Sequence, residues 1–168
     1  EMITAQTLLE QGTRRIQTSA TGDAQIRARL LRTVGNAHMG LGFYDEGLQL
    51  LDEALATSES AQPPDEREIA EQLRVRAHGL LQAGKPDSVP ILFDRALALL
   101  EKQGAPKSAV AFCLWEKASF RLNRGDMPQA DSLLTLASEM TESGPEPNKS
   151  LLLRITSTRA ILSHRRYE

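Results

Sequence analysis

At 168 residues and a formal net charge of −2, the chain is long enough for one compact domain or a short helical array, and it has no bulk charge to draw it to nucleic acid or an anionic membrane. Hydrophobic residues make up 40% and aromatics only 4%, with alanine and leucine leading, a mix that favours helices over sheets. The single cysteine, Cys113, excludes an intrachain disulfide and a cysteine-built metal site, and the apolar runs are too short for a membrane span.

Apolar periodicity and breaker residues predict eight helices, over about 3–19, 24–41, 44–60, 65–83, 86–103, 106–124, 127–142 and 149–166. The first is a leading helix within 1–23. The second and third form a hairpin over 24–64 that closes at Pro63-Pro64. The next pairs occupy 65–105, ending at Gly104-Ala105-Pro106, and 106–147, ending at Gly144-Pro145-Glu146-Pro147. Residues 148–168 begin a fourth hairpin that stops at its turn. The chain starts at Glu1 rather than methionine, which suggests a piece of a longer protein.

The hairpins stack on a shared turn. Gly42, Gly84, Gly125 and Arg165 fall about 40 residues apart. Seven residues before each lies a small residue: Gly35, Ala77, Ala118 and Thr158. Two residues past the turns come Tyr44, Pro86, Met127 and Tyr167. Further on lie Gly47, Val89 and Ala130, then Leu51, Phe93 and Leu134, then Ala54, Ala96 and Ala137. Small residues let antiparallel helices approach closely, glycine takes positive φ at a helix end, and Pro86 and Pro128 suit a first helical turn. The large residues fill the gap between neighbouring hairpins. Hairpins stacked in this way predict an all-α, right-handed superhelical solenoid with a concave face.

This pattern of small residue, turn glycine, aromatic and alanines resembles the tetratricopeptide repeat over nearly the whole chain. The first repeat matches best, through Leu31, Gly35, Leu41, Gly42, Tyr44, Leu51 and Ala54. Pro86 and Met127 stand where an aromatic is usual, and the period exceeds the roughly 34 residues common in the family. A narrower resemblance joins Leu8-Leu9, Gly12 and Arg15-Ile16 to Arg27-Ala28-Arg29-Leu30-Leu31. It is similar to the repeat region that follows the catalytic domain in many bacterial serine/threonine kinases, with His38 for a usual tyrosine and Gly47 for a usual alanine. Such repeats also occur in transcriptional regulators, and no kinase motif lies in these residues.

Other motifs dissolve into this frame. Gly79–Pro86, GLLQAGKP, is one residue short of a phosphate-binding loop, but helix precedes it and Pro86 offers no hydroxyl to Mg²⁺. Arg124-Gly125-Asp126 spells an adhesion tripeptide but occupies a shared turn. None of His38, His78 and His164 has a second histidine or a cysteine at i+3 or i+4 to make a metal pair. Cys113 reads as core, and no convergent acid–base pair or nucleophile elbow is visible. The expectation is a chain without catalytic, metal or cofactor residues.

What remains is the concave face, lined by the first helix of each repeat. Its positions are Arg29, Arg32 and Asn36; Glu71, Arg74 and His78; Phe112, Trp115, Ser119 and Asn123; and Leu152, Ile155 and Arg159. A basic half and an apolar half would take a peptide with a carboxylate at one end. By resemblance, Arg32 and Asn36 parallel the Lys and Asn that clamp a peptide's terminal carboxylate in some repeats of this family. The bland alternative makes the arginines a solvated face and packs Trp115 under a neighbouring helix. The expected function is a non-catalytic protein–protein interaction or scaffold module, a regulatory or docking segment of a larger bacterial signalling protein such as a serine/threonine kinase. The alternatives are a sensor or dimerisation region of a transcriptional regulator, a stand-alone enzyme, and a structural module that dimerises through an uncapped C-terminal end. The expected compartment is the cytoplasm, or the periplasm if the parent carries a membrane segment before this region.

Overall fold

The computed structural model describes residues 5–18, 23–143 and 148–166. The elements are α1 Ala5–Thr18, α2 Ala24–Gly40, α3 Tyr44–Ser60, α4 Glu66–Gln82, a 3₁₀ turn Pro86–Ser88 running into α5 Val89–Lys102, α6 Lys107–Asn123, α7 Met127–Glu142 and α8 Lys149–Arg166. No strand occurs among the described residues, so the chain is all-α there. Expected helix at 3, 4 and 19, the break at 144–147, and Tyr167 lie outside the described residues.

The helix ends have local causes. Asp23, Asp65 and Asp126 accept backbone N–H bonds from the first turns of α2, α4 and α7, and Asn148 accepts from Leu151. At the other ends, Gly42, Gly84 and Gly125 take φ of 85°, 70° and 79°. Each lies in a Schellman motif: in α4, Gly84 N–H reaches the Leu81 carbonyl at 3.1 Å and Lys85 N–H the Leu80 carbonyl at 2.8 Å. Gly104, read from sequence only as a stop, closes α5 by the same pair of bonds. Arg165 is different. It lies within α8, which runs on to Arg166 over the range expected for the eighth helix. The helix expected from residue 86 begins as a 3₁₀ turn because Pro90 has no N–H for the Pro86 carbonyl, which accepts from Val89 instead.

The chain divides into two units, through Leu99 and from Leu100. In the first, α2 packs most extensively on α3, α3 on α4, and α1 on α2. Leu31, Leu50 and Ala54 form a buried cluster covered by Ile16 and Val34. α2 and α3 approach closely at Gly35 and Gly47: a Cβ built on Gly47 would lie 2.6 Å from Met39 Sδ and 3.0 Å from the Gly35 carbonyl oxygen. In the second unit, α6 packs on α7, and α8 lies against both. Cys113, Ala118, Leu134 and Ala137 are fully buried there, with Leu151, Ile155 and Leu162 turned inward from α8. The repeating leucine, phenylalanine and alanine positions are buried: Leu51, Phe93 and Leu134 are at most 2% exposed, and Ala54, Ala96 and Ala137 are closed off completely.

Candidate functional site

In the first unit, the basic residues expected on the first-helix face are held by the chain's own acids. Arg29 of α2 donates to Glu68 of α4 at 3.2 Å and lies 3.6 Å from Asp65. Arg32 pairs with Glu68 at 3.3 Å and with Glu71 at 3.5 Å, and Arg74 forks onto Glu71 with bonds of 2.7 and 3.0 Å. Three guanidinium groups thus face three carboxylates. Glu68 also accepts from Gln72, and its side chain is only 9% exposed. An incoming peptide carboxylate would have to displace Glu68 or Glu71 to reach Arg32. Asn36 and His78 are exposed beside this network.

The second unit offers a different surface. Trp115 of α6 is half-buried and donates its Nε1–H to Thr158 Oγ1 of α8 at 2.9 Å, while the Thr158 hydroxyl donates to the Arg154 carbonyl. Phe112 lies tilted against it, with ring centroids 5.4 Å apart. The Arg154 guanidinium carbon sits 5.1 Å from the centre of the Trp115 ring, in cation–π range. Ser119 is half-buried and bonds back to the Trp115 carbonyl, and Asn123 is exposed at the end of α6. Two expected fourth-repeat positions lie elsewhere. Arg159 donates to Thr135 of α7, on the other side of α8 from Trp115, and Ile155 is buried at 1% exposure. Arg154 was missed because the stacked register puts it level with Leu31, Leu73 and Leu114, all core residues at most 5% exposed.

The remaining motifs take structural places. GLLQAGKP closes α4, and its Lys85 ammonium pairs with Asp45 at 2.7 Å. Gly125 lies between the C-cap of α6, Arg124, and the N-cap of α7, Asp126. His38 is buried and its Nδ1 lies 2.9 Å from the Val34 carbonyl; because a carbonyl only accepts, that nitrogen carries the proton. Among the described residues, no three His, Cys, Asp or Glu side chains gather closely enough to hold a metal ion. No helix among them is long and apolar enough to cross a membrane. Two open clefts flank the helices: one of about 260 Å³ beside His38, Glu46 and Gln49, and one of about 320 Å³ beside Lys117 and Leu133. No protein-family model matches the chain, and no curated protein is significantly similar to it.

Proposed function

We propose that the chain is a non-catalytic protein–protein interaction module: a right-handed superhelical array of tetratricopeptide-like hairpins whose first-helix faces receive a peptide or protein partner. Its role is a regulatory or docking segment of a larger bacterial signalling protein. The repetition supports the architecture, since each stacked set of small and large residues is buried at matching places. The observation that carries the function is the Phe112, Trp115 and Ser119 face of α6. It keeps two aromatic rings half-exposed beside an arginine where α2 and α4 spend the equivalent positions on internal ion pairs. Half-exposed aromatics with a neighbouring arginine are the residue types that dominate binding energy at interfaces.

The test is selection from a displayed peptide library with the purified chain as bait. The expected result is a shared motif whose affinity falls about tenfold or more in Trp115→Ala. No enrichment, or enriched peptides that bind the variant unchanged, would refute the role. The signalling parent is tested by the reading frame upstream of Glu1. A glycine-rich loop, an H-R-D-type catalytic loop and a D-F-G triplet are expected; a frame without them removes the kinase assignment.

A second role, self-association, has its own observation: Leu153 and Ile161 of α8 are 69% and 50% exposed. Sedimentation equilibrium across a hundredfold concentration range tests it, and a mass that stays monomeric rules it out.

A further inference from the structure

We infer that the seam between α6 and α8 takes an acidic peptide, with a carboxylate received by Arg154 and an aliphatic side chain received beside Ile161. This deepens the interaction role proposed above and rests on it. α8 contains Lys149, Arg154, Arg159, His164, Arg165 and Arg166 and no acidic residue. The chain answers several of these itself: Arg166 meets Asp131 at 2.9 Å, Arg165 donates to the Leu122 carbonyl, and Arg159 donates to Thr135.

Arg154 is exposed, and among the described residues its guanidinium meets an indole face and no carboxylate. Stacking on Trp115 holds the planar fork in place and leaves its N–H edges for a ligand, the arrangement that suits bidentate capture of a carboxylate. The indole N–H cannot compete for that ligand, because Thr158 already accepts it. The guanidinium also stands where the stacked register places Leu31, Leu73 and Leu114, so no demand of core packing explains an arginine there.

The apolar half of the seam is equally defined. Ile161, seven residues past Arg154, lies on the same stripe of α8, about 10 Å along the helix, and is half-exposed. Phe112 and Trp115 form an aromatic wall on α6 at the Arg154 end of the seam. A bare anion would leave that wall unused. A peptide whose carboxylate and aliphatic side chain lie about 10 Å apart fills both halves. Residues three apart in a polyproline-II segment share a face at roughly that distance.

The probe is the tetrapeptide Glu-Pro-Pro-Leu blocked at both ends, whose prolines favour that conformation. Trp115 is the only tryptophan, so its emission reports on the seam without a label. The expected result is a saturable emission change that weakens about tenfold or more with Gln-Pro-Pro-Leu, and likewise in Arg154→Gln. Ile161→Ser should weaken binding several-fold, and both exposed substitutions should leave the helical circular dichroism unchanged. Equal binding of the Glu and Gln peptides, an unaltered response in Arg154→Gln, or no saturable change at millimolar peptide would overturn the assignment. Displacement of the peptide by an equal concentration of inorganic phosphate, or tighter binding of a single-stranded oligonucleotide, would overturn it as well, by showing a general anion site. Library-selected peptides that bind Arg154→Gln at full strength without moving Trp115 emission would sink this seam and leave the interaction role standing.

Discussion

Replacing Gly47 with alanine sets two effects against each other. In an unconstrained helix, alanine is better than glycine by about 0.5–1 kcal/mol, so propensity alone predicts a more stable protein. The packing predicts the reverse. The new Cβ would lie 2.6 Å from Met39 Sδ, 2.8 Å from Met39 Cγ and 3.0 Å from the Gly35 carbonyl oxygen. Met39 is 4% exposed, so its side chain has little free space to swing into, and the carbonyl belongs to the backbone of α2. Relief comes from an off-rotamer Met39 or from parting α2 and α3, and overpacking of this kind costs about 1–3 kcal/mol. The expected net effect is a loss of about 1–2 kcal/mol, a fall in Tm of roughly 3–6 °C. Urea unfolding followed by circular dichroism measures it. Gly12→Ala is the control, because nothing lies within 4 Å of its Cβ, and it should hold or raise stability. Gly47→Ala at or above wild-type stability would refute the close approach of these helices.

Three further outcomes follow from the same structure. Gly84→Ala, at φ 70°, should cost about 1–2 kcal/mol in urea unfolding, whereas Gly40→Ala, with nothing within 4 Å, should not; equal effects would contradict the left-handed turn. Glu68→Gln removes the carboxylate shared by Arg29 and Arg32 and should cost about 1–2 kcal/mol, discounted because Arg29 is half-exposed; an unchanged urea midpoint would show that the network adds nothing. Cys113 is fully buried and should react with a maleimide only as the second unit opens; labelling at the rate of a small free thiol would contradict its place in the core.

Much of the helical frame was legible because its determinants are local or strictly repeated. Gly42, Gly84 and Gly125 mark helix ends that only a residue at ease with positive φ can make, and the alanines at 54, 96 and 137 recur because each is buried. The 3₁₀ start at Pro86 was harder, since it depends on the absent N–H of Pro90 one turn later. The site was less legible. The register aligns Arg29 with Glu71, but it does not say that Arg29 and Arg32 of α2 would find Glu68 and Glu71, acids one turn apart on α4. Nor does it turn Arg154 onto Trp115, because that contact depends on which side of α8 is left uncovered, a property of packing rather than of spacing.

The most direct test of the account maps backbone amide shifts while a library-selected peptide is titrated into the labelled chain. The expected shifts concentrate on the first-helix faces, largest around Phe112, Trp115 and Ser119 of α6 and Arg154 and Ile161 of α8, with the paired arginines of α2 little moved. Shifts confined to the outer faces of α3 and α7 would contradict it.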